Sequence, residues 1–190
     1  MIRPLAALAF AAGLLPLASA WAADLPPDPG SIITIQAENA SISAGSPTDR
    51  LYTNGMRIGW TSPTGAVPGV LSSLGQSLWG SGLQRMSVDV SHQIYTPINT
   101  AARVAPAADR PYAGYLSANF SLINDTANHR SLLGLSLGVV GPAAGGSGLQ
   151  NGFHDLIGQG RSNGWGSQIP NAAAIEIAHE RTWRLPIGKL

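Results

Sequence analysis

The sequence predicts an all-β protein built on an antiparallel sheet of the kind that forms outer-membrane β-barrels. Three observations support this prediction: an N-terminus with the pattern of an export signal, short segments in which apolar and polar residues alternate, and no later run of the ~20 apolar residues that a membrane helix needs. The 190 residues include no cysteine, which excludes a disulfide framework and thiolate chemistry. The net charge of +1, without a basic stripe, argues against a nucleic-acid-binding protein.

The N-terminal segment predicts export from the cytoplasm. Arg3 precedes an apolar run from Leu5 to Leu17, which ends in the small-residue sequence ASAWA. A positive start, a short apolar run and a small-residue cleavage site are typical of a secretory signal peptide. We therefore predict a cleaved signal peptide at 1–22, a disordered leader at 23–30 and a barrel domain at 31–190.

Six later segments alternate with a period of two, the side-chain period of a β-strand. In 115–122, for example, Leu116 and Phe120 alternate with Ser117 and Asn119. Numerous glycines and prolines between the segments favour turns and short strands. The predicted strands cover residues 32–38, 53–61, 85–91, 115–122, 133–139 and 173–183.

The composition of the two strand faces favours a barrel. One face is aliphatic or aromatic throughout, whereas the other carries glycine, serine and isolated charges such as Arg57, Asp89 and Glu176. An outer-membrane barrel presents an apolar surface to lipid and a polar surface to its lumen. Alternation places Thr53 on the polar face with Arg57. A soluble periplasmic β-sandwich also alternates, and remains open as an alternative.

The connections divide between the two ends of the predicted sheet. If the first strand starts from the periplasm, the segments 39–52, 92–114 and 140–172 all fall at the extracellular end, where such barrels carry their long loops. The segment 62–84 falls at the inner end, where it can form a small amphipathic helix. Glycine-rich residues in the last outer segment predict a flexible loop, so His154 is expected in an outer loop or strand end.

Several motifs in these segments resemble those of the lipid A deacylase family, the outer-membrane 3′-O-deacylases of lipopolysaccharide. The resemblance covers about residues 31–172. It implies a twelve-stranded antiparallel barrel in the outer membrane of a Gram-negative bacterium. It also implies a calcium-dependent hydrolase that removes the 3′ acyloxyacyl group of lipid A at a site between barrel wall and outer rim. The motifs are AENAS, DRLYTNGMRIGW, QIYTP, DRPYAGYL, LGVVGPAAGG, LQNGFH and GWGSQI.

The resemblance also implies the site residues. The family's catalytic histidine matches His154, its active-site asparagine matches Asn39, and its active-site threonine matches Thr53. An imidazole titrates near neutral pH and suits a general base. Calcium prefers oxygen ligands, for which Asn39 and Glu38 are the candidates. Arg103 and Gln150 are the candidate substrate-binding residues.

Two positions depart from the family pattern. The aspartate that commonly follows the asparagine is replaced by Ala40, and the lysine after the YTP motif falls at Ala102, next to Arg103. An alternative is therefore a catalytically impaired or truncated barrel remnant that is structural or only binds lipopolysaccharide. The six predicted strands correspond to the first half of the twelve-stranded barrel that the resemblance implies. Association of two copies is one way in which twelve strands come together to close a barrel.

Overall fold

The computed structural model describes residues 25–39 and 52–185, which form one open antiparallel sheet and two helices. The six strands follow one another in space in their chain order, β1 to β6, and each neighbouring pair is antiparallel. Within the described part of the chain, β1 and β6 are the two edges of the sheet. The strands are β1 (Ile32–Asn39), β2 (Asn54–Thr61), β3 (Leu83–Tyr95), β4 (Ala113–Asp125), β5 (His129–Val140) and β6 (Ala172–Trp183).

All six predicted strands are confirmed, and β3, β4 and β5 extend beyond the alternating segments that predicted them. The register aligns like side chains across the sheet: Ile35 pairs with Ile58, and Ile58 pairs with Val90. A shift by one residue would move every apolar side chain to the opposite face. The apolar pattern therefore fixes the register that is observed.

The two faces of the sheet differ as predicted. The polar face holds a charged network in which Arg57 Nη2 donates to Asp89 Oδ2 at 2.9 Å and Asn119 Nδ2 donates to Asp89 Oδ1 at 2.7 Å. The Asp89 carboxylate is buried but paired, which removes most of the cost of burying its charge. The opposite, apolar face leaves large side chains exposed: Ile33, Ile35, Ile58, Val88, Val90, Leu135, Leu137, Ile175 and Ile177.

Helix α1 (Gly69–Trp79) lies in the β2–β3 connection, so the amphipathic helix predicted in 62–84 is confirmed. Gly75 is buried against the sheet, and a Cβ atom there would lie 2.7 Å from Gln84 Nε2 and 3.4 Å from Leu122 Cδ2. Gln84 and Leu122 alternate in phase with the apolar residues of β3 and β4, so α1 packs on the apolar face. Among the described residues, no helix is both long and apolar enough to span a bilayer.

The predicted flexible loop after β5 is instead mostly helical. A 3-10 turn (Pro142–Ala144) leads into helix α2 (Gly146–Ile157), and a second 3-10 turn (Gly164–Ser167) precedes β6. The glycines concentrate in the first turn of α2, and Leu149, Phe153 and Ile157 then recur at helical spacing. His154 therefore lies on a helix, which corrects its predicted place in a loop or strand end.

The end of the predicted disordered leader is anchored to the sheet. Arg85 Nη1 donates to Asp28 Oδ2 at 3.0 Å, and the Asp28 amide donates to Thr64 Oγ1 at 3.0 Å. The backbone amide of Gly30, together with Arg85, lowers the pKa of the Asp28 carboxyl. These contacts correct the prediction of disorder for the end of the leader. The predicted signal peptide and Ala40 lie outside the described residues.

Candidate functional site

The adjoining ends of β1 and β2 bring two of the predicted site residues together. Asn39 pairs with Asn54 across the two strands, and Asn54 Nδ2 donates to the Glu38 carbonyl at 2.9 Å. Thr53 directly precedes β2, and its hydroxyl lies 2.8 Å from the hydroxyl of Thr96. Because Thr53 is outside the strand, alternation does not determine its direction.

Helix α2 lies on the apolar face because small residues allow its first turn to approach β4 closely. A Cβ atom on Gly146 would lie 2.6 Å from the Trp165 ring and 3.1 Å from Gly114 Cα. One turn earlier, His92 Nε2 lies 2.8 Å from the Ala144 carbonyl and joins β3 to the start of the helix. A larger residue at position 146 would therefore push the helix away from the sheet.

An aromatic core fixes the other side of α2. Trp165 is 4% exposed, and its ring centroid lies 5.0 Å from that of Tyr112, which is fully buried. The Trp165 indole donates to Gln150 Oε1 at 2.8 Å. Burial raises the pKa of Tyr112. Gln150, predicted as a substrate-binding residue, is thus buried and holds the helix to this core.

The hydrogen bond of His154 determines which ring nitrogen is available for chemistry. Nδ1 lies 2.7 Å from the Gly160 carbonyl oxygen, which can only accept a hydrogen bond. Nδ1 of the neutral ring therefore carries the proton, and Nε2 keeps a lone pair. The half-buried ring is held in the tautomer that a general base requires.

The loop after α2 is fixed so that it presents the Gly160 carbonyl to His154. The helix ends at Gly158, whose φ of 69° is in the left-handed region that favours glycine, and whose amide donates to the His154 carbonyl. Asn151 then ties the loop back to the helix: the Ser162 amide donates to its Oδ1 at 2.8 Å, and its Nδ2 donates to the Ser162 carbonyl at 3.3 Å. Both Asn151 and Ser162 are buried.

These elements enclose a cavity of about 270 Å³ between α2 and the ends of β1 and β2. Five of the six predicted site residues line it, although they come from three separate parts of the sequence. These are Glu38, Asn39, Thr53, Gln150 and His154. Its other lining is largely apolar: Ala37, Asn54, Met56, Ile94, Leu149, Phe153, Ile157 and Gln159.

Arg103 is the predicted site residue that the structure does not place in the cavity. It is exposed in the β3–β4 connection, where its backbone carbonyl accepts a hydrogen bond from Ser167 Oγ at 3.2 Å. This contact joins the β3–β4 and β5–β6 connections at the same end of the sheet as His154. A substrate-binding role for Arg103 stays a prediction.

The predicted calcium ligands do not converge. Glu38 and Asn39 are adjacent in β1, so their side chains point to opposite faces of the sheet. The Glu38 carboxylate accepts hydrogen bonds from the Tyr52 hydroxyl and from Gln36, on the face that carries Arg57. Over residues 25–39 and 52–185, no group of three or more histidine, aspartate, glutamate or cysteine side chains is placed to hold a metal ion. The described residues therefore do not fit a carboxylate-rich calcium site.

A sequence pattern in β5 has the spacing of a serine-hydrolase nucleophile. Gly134, Ser136 and Gly138 form a GxSxG pattern, which in α/β-hydrolases marks a sharp strand-to-helix turn. Here the whole pattern lies inside a strand, and Ser136 Oγ is 3.4 Å from the Tyr115 hydroxyl on the polar face. Ser136 therefore lacks the geometry of such a nucleophile.

Sequence reasoning missed the residues that support the site. Asn151 and Trp165 make the hydrogen bonds that hold α2 and its loop, but neither belongs to a catalytic residue type. Asn151 lies in the LQNGFH motif, which also contains His154, and Trp165 lies in the GWGSQI motif. Their place in these motifs is the sequence signal that could have identified them.

Comparison with known proteins agrees with this fold. The solved structure of LpxR from Salmonella typhimurium superposes with a TM-score of 0.68 at 24% sequence identity. The match covers 85% of this chain and 53% of the Salmonella protein, so this chain spans about half of that protein's length. At this identity the likeness shows the fold, an antiparallel sheet that is part of an outer-membrane barrel. The comparison with curated proteins gave no match.

The family assignment comes from the sequence match. The family model described as "Outer membrane protein LpxR" matches residues 5–189, which is nearly the whole chain. The match confirms the resemblance to outer-membrane lipid A deacylases that the motifs indicated. The chain belongs to the LpxR family of outer membrane proteins.

Proposed function

We propose that the protein is an outer-membrane ester hydrolase that removes the 3′-linked acyloxyacyl group of lipid A, with His154 as the general base. The observation that carries the proposal is the cavity at α2. It combines residues of three distant segments, lies on the apolar face of the sheet, and holds a histidine whose Nδ1 contact with Gly160 leaves the lone pair on Nε2. A lipid substrate would reach such a cavity directly from the bilayer.

The chemistry follows from the tautomer of His154. Nε2 takes a proton from a water molecule while the water oxygen forms a bond to the ester carbonyl carbon. When the tetrahedral intermediate collapses, the carbon–oxygen bond to the sugar breaks, and Nε2–H returns the proton to the leaving oxygen. The Nδ1–H bond to the Gly160 carbonyl stabilises the imidazolium that forms between these steps.

The apolar lining gives the acyl chain a place to bind. Leu149, Phe153 and Ile157 recur along one side of α2, and Met56 lies on the facing strand. Contact with these side chains would keep the ester near His154 and exclude bulk water. Lipid A, lipopolysaccharide and the outer membrane are the partners that this arrangement supports.

Calcium stays a prediction of the family resemblance. In LpxR-like chemistry a bound cation would polarise the ester carbonyl, but the described residues contribute no carboxylate on the His154 side of β1. We therefore assign no step to a metal. Association of two copies also stays a prediction.

The proposal is tested on the full chain in outer membranes. Lipid A isolated from cells that express the protein is compared by mass spectrometry with lipid A from cells that carry an empty vector. We expect loss of the mass of one acyloxyacyl group, with fragment ions that place the loss at the 3′ position. Unchanged lipid A, with the protein present and folded in the outer membrane, would contradict the proposal.

A second candidate function is lipopolysaccharide binding without turnover. The observations that favour it are Ala102, where the family pattern has lysine, and the Glu38 carboxylate, which points away from the cavity. In that case lipid A would co-purify with the protein while its acyl chains all remain. The mass measurement above separates the two functions.

Asn151 is expected to position His154 through the loop that carries Gly160. Replacement of Asn151 by alanine removes both hydrogen bonds to Ser162, so the Gly160 carbonyl loses its support. We expect kcat for lipid A hydrolysis to fall about 10-fold, with KM nearly unchanged, because catalysis depends on ring orientation. Steady-state kinetics in detergent micelles measures both constants.

Asp155 provides the matched control on the same helix. It is exposed and its contact with Arg161, also exposed, is 3.7 Å long, so Asp155→Asn is expected to leave both constants unchanged. Equal kinetics in Asn151→Ala and Asp155→Asn would show that the loop does not position His154.

A further inference from the structure

Helix α1 carries an exposed apolar stripe that the sheet does not cover. Val70, Leu74 and Leu78 recur every four residues along one side of the helix, and they are 83, 42 and 50% exposed. The adjacent side holds Gly75 and contacts the sheet. The helix has no charged residue, and its remaining side consists of the exposed polar residues Ser73, Gln76 and Ser77.

The position of α1 along the strands matches a membrane interface. Gly75 of α1 lies beside Leu122 of β4, whereas Gly146 of α2 lies beside Gly114 of the same strand. The eight residue steps from Gly114 to Leu122 span about 26 Å along the strand, or about 20 Å along the membrane normal at a typical strand tilt. The two helices thus flank a band close to the ~25 Å apolar height of an outer-membrane barrel.

Three tryptophans lie at the same end of the sheet as α1. Trp60 is the penultimate residue of β2, Trp183 is the last residue of β6, and both alternate in phase with the apolar face. Trp79 ends α1 and stacks on His179, with ring centroids 6.4 Å apart. Tryptophan is enriched at membrane–water interfaces, where its ring is apolar and its N–H reaches water. All three lie at the end of the sheet opposite His154.

We propose that α1 is an interfacial helix, and that bilayer phospholipid covers the stripe of Val70, Leu74 and Leu78 at the end of the sheet opposite His154. The stripe continues the apolar face of the strands, which family membership places in the outer membrane. The polar side of α1 faces water, and a third side of the helix packs on the sheet. This is the arrangement of an amphipathic helix at a bilayer surface.

The test uses the absence of cysteine in the sequence. Leu74→Cys, on the stripe, and Gln76→Cys, on the polar side, are each labelled with the fluorophore NBD in the full chain. The proteins are reconstituted in vesicles of phosphatidylethanolamine and phosphatidylglycerol that contain lipids with a nitroxide near the headgroup. We expect blue-shifted emission at position 74 and about two-fold stronger quenching by the nitroxide than at position 76. Aqueous iodide is expected to quench position 76 preferentially.

Three results would overturn the proposal. Equal iodide quenching at both positions would show that the stripe faces water, and quenching of position 74 mainly by nitroxides at the chain ends would place it in the bilayer centre. Disulfide formation between copies of Leu74→Cys would show that a second chain covers the stripe. If Leu74→Cys lacks the heat-modifiable mobility of a folded barrel protein, Val70→Cys replaces it, since Val70 is the most exposed residue of the stripe.

Discussion

Replacement of His154 by alanine is expected to lower the rate of lipid A hydrolysis by about 100-fold or more, the usual contribution of a general base. The substitution removes the Nε2 lone pair that activates water in the proposed mechanism, while the exposed neighbours Gly152 and Asp155 and the buried anchor Gln150 remain in place. The helix should therefore stay docked. Initial rates of acyloxyacyl release from lipid A, followed by mass spectrometry, give the comparison.

His129 is the control for this substitution. It is the first residue of β5, at the opposite end of the sheet, where its Nδ1 is 3.1 Å from Thr126 Oγ1. The variant His129→Ala is expected to hydrolyse lipid A at the rate of the unmodified protein. Equal activity of the His154→Ala variant and the unmodified protein would remove His154 from the mechanism.

Replacement of Trp165 by alanine is expected to cost about 3–5 kcal/mol of unfolding free energy, as for other buried aromatic side chains. The ring fills the space between Tyr112 and Gly146, and its indole is the hydrogen-bond donor to Gln150. Loss of the ring leaves a cavity where α2 meets the sheet, so the helix and His154 lose their support. Urea unfolding in detergent, followed by circular dichroism, measures the change.

A phenylalanine at position 165 separates packing from hydrogen bonding. Trp165→Phe keeps most of the ring volume but leaves Gln150 Oε1 without its donor, for an expected cost of about 1–3 kcal/mol. If alanine and phenylalanine at this position destabilise equally, packing of the ring against Tyr112 does not hold α2.

The strands could be predicted from sequence because alternation and burial agree along them. Ile35, Ile58 and Val90 follow a period of two and also pair across the sheet, so one pattern specifies both strand and register. The inner helix could be predicted for the same reason, since Val70, Leu74 and Leu78 follow the helical period.

Helix α2 could not be predicted because its sequence signals conflict. The glycines and the proline in residues 141–148 indicate a turn, because both residue types have poor helix propensity. Tertiary contacts override that propensity: Gly146 allows close approach to Gly114, and Gln150 bonds to the buried Trp165. These contacts join residues far apart in the chain, so no local window contains them.

His154, Asn39 and Thr53 came from motif resemblance, whereas Glu38 was a candidate because calcium prefers oxygen ligands. The catalytic roles of these residues stay predictions. The position of His154 depends on one helix and on the short loop that directly follows it in the sequence. The role assigned to Glu38 requires its side chain to share a face with Asn39, which adjacent strand residues cannot do.

The account depends on α2 lying against the apolar face at the end of β1. The most direct test introduces Phe153→Cys on α2 together with Ala37→Cys, which lines the same cavity, and treats the folded protein with a short bifunctional thiol reagent. Gln36→Cys, on the opposite face of β1, replaces Ala37→Cys in the control. Efficient cross-linking of 153 to 37, but not to 36, is predicted; cross-linking to 36 alone, or to neither position, would contradict the site.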